Sequence, residues 1–171
     1  MKLTVWQRMD IFSRQLTPFL LTMFLILLSS VPYDVPGLVR VMPLFSLIAI
    51  FHWGVYRAEL MPIYAVFAIG FFQDALSGVT MGVFTIIYIL VYNVVLAQQR
   101  FFVKKSFYVV WLGFSIVSAG TTVLVWALLS IFKGSIIDPR AVIIQYVIGL
   151  SIYPIIAYIL LRWQRAFLQQ V

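Results

Sequence analysis

Cysteine is absent from the 171-residue chain, which excludes disulfides, thiolate metal sites and cysteine nucleophiles. Histidine occurs once, at His52, so a multi-histidine metal site cannot form, and no metal or cofactor is expected. Charge is scarce: 10% of the residues are charged and five are acidic. What fills the chain instead is apolar, at 64% hydrophobic residues with a mean hydropathy of +1.07. Soluble domains draw about half of their residues from the apolar set. The composition therefore predicts an integral membrane protein, a single all-α domain over 1–171. The net charge of +7 is then explained by basic loops beside anionic lipid, and no nucleic acid is expected as a partner.

Apolar runs separated by turn residues predict six transmembrane helices, at about 16–33, 41–57, 61–78, 81–97, 106–132 and 141–161. About 20 residues suffice to cross a bilayer, so the fifth must tilt or protrude. Before the first, Lys2, Arg8 and Arg14 alternate with Val5, Trp6, Met9 and Phe12, a pattern that suits a short amphipathic helix on the membrane or a frayed tail. Pro32, Asp34, Pro36 and Gly37 mark a loop, and Gln98 to Lys105 reads as a basic one. The third and fourth helices form a tight antiparallel hairpin. Pro154 falls inside the sixth, where it should free the carbonyl of Leu150 and kink the helix.

Lys2, Arg8, Arg14, Arg57, Arg100, Lys104, Lys105, Arg162 and Arg165 fall on one side of this arrangement, and Arg40, Lys133 and Arg140 on the other. The basic excess belongs inside. Both termini are therefore expected in the cytoplasm.

One stretch organises the chain: Gly70-Phe-Phe-Gln73-Asp74-Ala-Leu-Ser77-Gly78-Val-Thr-Met-Gly82. Asp74 is the one carboxylate inside an apolar run, and an ionised group at the bilayer centre costs about 2.5 to 3.5 kcal/mol on insertion scales. Such a residue is a functional candidate; the plainer role is a helix-end group that holds a neighbouring helix. We expect Asp74 to pair with a cation at the same end, Arg40 first and then Lys133 or Arg140, or else to cap the Ser77–Val79 turn. Catalysis is not expected. The chain lacks a second intramembrane aspartate, the Gly-x-Gly-Asp of aspartyl proteases and the Gly-x-Ser-Gly of rhomboid proteases.

His52 lies near Trp53, Tyr56 and Arg57. It is read as a group titrating near neutral pH or, more ordinarily, as a hydrogen-bonded interfacial histidine. Asn93 is expected to bridge helices. Ser115, Ser118, Ala119, Gly120, Thr121 and Thr122 should let helix backbones approach closely, with a polar substrate path as the weaker reading. Trp6, Trp53, Trp111 and Trp163 are expected at the membrane interfaces.

The Gly70–Gly82 stretch resembles the signature of the rod shape-determining protein MreD family: a Gly, an Asp, then Ser-Gly, then Leu-Gly. Here Asp74 follows Gly70 by four residues and Met81 stands in place of the usual Leu. Arg40-Val-Met-Pro43-Leu resembles the stretch that commonly reads Arg-Pro in that family, split here by two residues. His52-Trp53 resembles its aromatic patch, and Gln98-Gln-Arg100-Phe-Phe fits the loop after its fourth helix. The length, the six spans and the short tails are similar throughout.

The resemblance implies a non-enzymatic component of the bacterial elongation machinery in the inner membrane. Its implied partners are membrane lipid, a single-span protein of the MreC type, and in addition MreB, RodA and a penicillin-binding transpeptidase. It also implies a fold similar to the substrate-binding subunits of energy-coupling-factor transporters. A vitamin-type ligand-binding subunit is therefore the alternative function. Partner-binding candidates are Asp74, Gln73, Ser77, Gly78, Gly82, Arg40, His52, Gly120 and Pro154.

Overall fold

The structure is a computed structural model that describes residues 18–28, 45–103 and 105–168, with side chains to residue 165. The described residues form six α-helices and no strand. They are α1 (Pro18–Leu28), α2 (Phe45–Tyr56), α3 (Ile63–Ser77), α4 (Val83–Phe102), α5 (Phe107–Lys133) and α6 (Pro139–Leu168), with a 3₁₀ turn at Ala58–Leu60. Stretches Val83–Phe102, Phe107–Lys133 and Pro139–Arg165 are long and apolar enough to cross a membrane; α1, α2 and α3 are shorter as described. The chain is thus a helical membrane protein.

Several expected boundaries move. The fourth helix begins at Val83 and runs to Phe102, so Gln98 to Arg100 are helical and not a loop. A basic side chain tolerates a helix end because it can reach the headgroups from there. The sixth begins at Pro139, a suitable first-turn residue, and continues past Arg162 and Arg165. Arg40, Pro43, Asp34, Trp6 and the amphipathic N-terminal stretch lie outside the described residues.

Helix α2 is apolar all round, and every residue from Phe45 to Val55 is buried. A helix of that kind belongs in the middle of a bundle. It packs on α4 and α6, with smaller contacts to α3 and α5. Gly54 lets α4 come close: a Cβ there would sit 2.9 Å from Val95 Cγ1. Rings from three helices close the core beside it. Phe114 of α5 and Tyr153 of α6 stack at 4.2 Å, and Phe51 of α2 meets them edge-on at 5.4 and 6.1 Å. Such pairs add about 0.5 to 1.5 kcal/mol each beyond the area they bury.

Helix α6 passes through Pro154, whose missing N–H leaves the Leu150 carbonyl without its helical partner. Trp111 of α5 supplies one, donating from Nε1 to Leu150 O at 3.3 Å. The tryptophan expected at an interface thus repairs a neighbouring helix. Trp53, also expected at an interface, is fully buried, and its indole N–H has no partner among the described residues. Farther along α5 and α6, Ser115 and Tyr146 share a hydrogen bond at 2.8 Å, and Trp126 Nε1 donates to Ile137 O at 2.9 Å.

Candidate functional site: the buried carboxylate of the α3–α4 hairpin

Helices α3 and α4 are the most intimately packed pair among the described residues, and the Gly70–Gly82 stretch is their hinge. Gly70 allows the approach. A Cβ there would lie 2.5 Å from Thr85 Cα, which belongs to the backbone and cannot yield. Gly78 ends α3 with φ of 62°, and Gly82 opens α4 with φ of 101°. Both values lie where a side chain would be strained, so glycine suits each.

A helix begins with backbone N–H groups that have no partner inside it. A Ser, Thr, Asn or Asp at the cap ordinarily takes one of them, but Gly82 has no side chain to offer. Asp74 does this from the preceding helix. Its Oδ2 accepts from Gly82 N at 3.0 Å, from Thr85 N at 3.1 Å and from Thr85 Oγ1 at 2.7 Å. Its Oδ1 accepts from Phe84 N at 2.8 Å. The carboxylate is 1% exposed, and it sits against the positive end of the α4 dipole.

The bonds of Asp74 among the described residues go to the start of α4, and none of Lys133, Arg140 and the Ser77–Val79 turn is among its partners. Asp74 neutralises a helix terminus, which offers four donors at short range without burying a second charge. Arg40, the first cation expected, lies outside the described residues.

A second polar chain runs beside the first. Ser46 of α2 donates to Gln73 Oε1 at 3.1 Å, and its hydroxyl lies 2.6 Å from Tyr88 OH. A serine hydroxyl has one proton, so Tyr88 donates to Ser46. The Gln73 amide then donates to Ser77 Oγ at 2.9 Å. The result is a one-way relay, Tyr88 to Ser46 to Gln73 to Ser77, that ties α2, α3 and α4 together. Sequence reasoning singled out Asp74, Gln73, Ser77, Gly78 and Gly82, and the structure brings all five to this hairpin. It missed Thr85, Ser46 and Tyr88. Thr85 carried a usable signal, since it stands three residues after the glycine that opens a helix, where a capping partner belongs.

The remaining candidates lie elsewhere. His52 is fully buried, its ring 5.5 Å from that of Trp53 and 4.9 Å from that of Tyr56. Gln164 is its polar neighbour on α6, although no bond between them meets strict hydrogen-bond geometry among the described residues. His52 thus sits inside the bundle, where an interfacial position was expected. Among the described residues Asn93 does not bridge helices: its amide donates to Ile89 O of its own helix at 2.8 Å, and the residue is exposed.

Gly120 does not admit a close neighbour, since a Cβ there would meet nothing within 4 Å. It instead lines an apolar groove of about 460 Å³ between α4 and α5, with Leu90, Val94, Gln98 and Leu124. The close glycine contacts are at Gly70, Gly54 and Gly113, the last packed against the Phe102 ring. A smaller groove of about 250 Å³ separates α5 and α6 near Ala119, Trp126 and Tyr146, away from Pro154.

Chemically, the hairpin site is a saturated acceptor. Every oxygen of Asp74 faces a donor of this chain. Comparison with protein-family models finds no match, and neither does a search of curated proteins or of solved structures.

Proposed function

We propose that this protein is a non-enzymatic component of the bacterial cell-elongation machinery, acting in the inner membrane by binding other membrane proteins through its helices. The observation that carries the reading is the use made of Asp74. The stretch that resembles the MreD signature has its carboxylate consumed by the start of α4. A motif of that kind builds a rigid hairpin, which is what a scaffold requires, and leaves no reacting group to explain. The apolar groove between α4 and α5 supports the same reading, because a partner helix in lipid associates through close packing against small residues such as Gly120. A single-span protein of the MreC type is the proposed occupant, with MreB, RodA and a penicillin-binding transpeptidase in the wider assembly. Six spans with both termini in the cytoplasm complete the proposal.

The test is depletion of the protein in a rod-shaped host, combined with photo-cross-linking from Gly120 and Ile148. Loss of rod shape is expected, and Gly120 should capture a single-span protein more efficiently than Ile148, which does not line the groove. Cells that stay rod-shaped without any copy of the protein would overturn the proposal. Recovery of a bound vitamin-like molecule from the purified protein would instead favour a transporter-type binding subunit.

A further inference from the structure

We propose that the outward face of α4 is a contact between two copies of this chain, centred on Asn93. Along α4, Ile86, Leu90, Asn93, Ala97 and Arg100 are all exposed. Their spacing alternates four and three residues, the seam of a pair of helices crossing at a shallow angle. The seam is apolar except for Asn93 and, in the last turn, Arg100.

Asn93 is the residue that lipid does not explain. It is the eleventh residue of a 20-residue helix, about 15 Å from the start at 1.5 Å per residue, so it lies near the middle of a bilayer about 30 Å thick. Its hydrogen bond among the described residues uses a single amide N–H, donated to Ile89 O. A carboxamide has a second N–H and an oxygen that accepts twice, and hydrocarbon answers neither.

A second copy answers both. Two copies in one membrane share one orientation, so a two-fold axis along the membrane normal sets the same residue of each copy at the same depth. A carboxamide is its own complement: each Asn93 can donate to the oxygen of the other. Ala97, one turn away, keeps the backbones close enough for that exchange. Arg100 falls at the helix end, where its guanidinium reaches the headgroups and anionic lipid screens it from its mate. An unrelated helix would need a matching polar group at this same depth; a second copy has one by symmetry. The seam borders the α4–α5 groove and shares Leu90 with it, while Asn93, Ala97 and Gly120 each belong to one of the two only, so variants at those positions separate this contact from the partner proposed above.

The absence of cysteine allows a clean test. In the full chain in membrane vesicles, Ile86→Cys, Leu90→Cys and Ala97→Cys should each form disulfide-linked dimers on mild oxidation. Ile116→Cys on α5 and Tyr158→Cys on α6, at residues 74% and 63% exposed, should not. Asn93→Leu should raise the dimer dissociation constant about tenfold, an intermediate value for bonds of this type in membranes. Asn93→Gln should keep it within about threefold. Because Asn93 bonds only its own helix among the described residues, neither change should disturb the fold, and unaltered thermal unfolding in detergent checks this. Equal cross-linking at 116 or 158, absence of any dimer, or a dimer indifferent to Asn93→Leu would each overturn the proposal.

Discussion

At the scale of single residues, Asp74 has the task that a cap residue usually performs for its own helix. It performs it across a turn, from eight residues before the first N–H it binds. The reason lies in the demand at position 82: the backbone there takes φ of 101°, which suits glycine, and glycine cannot cap by side chain. An asparagine at 74 would keep the shape and one acceptor oxygen, but in place of the other it would set an N–H against a backbone donor of α4. Asp74→Asn is therefore expected to lower stability by about 2 to 3 kcal/mol, through a lost charge-assisted bond and an orphaned buried N–H. Thr85→Val removes only the hydroxyl and should cost about 1 kcal/mol. Thermal unfolding in detergent micelles measures both. A Thr85 variant more damaged than the Asp74 variant would mean that the hydroxyl, and not the helix terminus, is what the carboxylate serves.

At the scale of elements, α6 shows how one helix depends on another. Pro154 removes an N–H from α6, and Trp111 of α5 replaces it at Leu150 O. The two residues should be energetically coupled. Trp111→Phe costs an indole bond only while the carbonyl lacks its own partner. In a Pro154→Ala background the helix restores the N–H, so the cost of Trp111→Phe should fall. A double-mutant cycle on unfolding free energies should give a coupling of about 0.5 to 1 kcal/mol. Additive effects would show that Trp111 acts by packing alone. Helix α4 divides differently: Val83, Ile87, Tyr88, Val91 and Val95 face the core, while Ile86, Leu90, Asn93 and Val94 face out.

At the scale of the whole molecule, the prediction concerns orientation. The α3–α4 turn at Gly78–Gly82 contains no basic residue, whereas the other end of α4 carries Arg100 and is followed by Lys104 and Lys105. Positive charge is retained on the cytoplasmic side. Reporter fusions after Arg100 and after Val171 should therefore read cytoplasmic, and one after Gly134 should read periplasmic. A periplasmic signal at Val171 would require an odd number of spans and would overturn the six-span arrangement.

The amino-acid sequence by itself determined that the chain is helical and membrane-embedded, that a tight hairpin follows Gly78, and that Asp74 is its singular residue. Those properties follow from composition and local spacing, which need no knowledge of neighbours. It also determined that Pro154 would leave the Leu150 carbonyl open, because that consequence is intrahelical. Only the tertiary structure decided which group answers each demand. A cation and a helix terminus are alike as partners for a carboxylate on paper, and the close packing of α3 on α4, at Gly70 too tight for a Cβ, chose the terminus by setting Asp74 against α4. Burial was likewise undecided. In an apolar chain the core and lipid faces have the same chemistry, so hydrophobicity does not separate them. Hence Trp53 and His52 were read as interfacial although they are buried, and Asn93 as inward although it faces out.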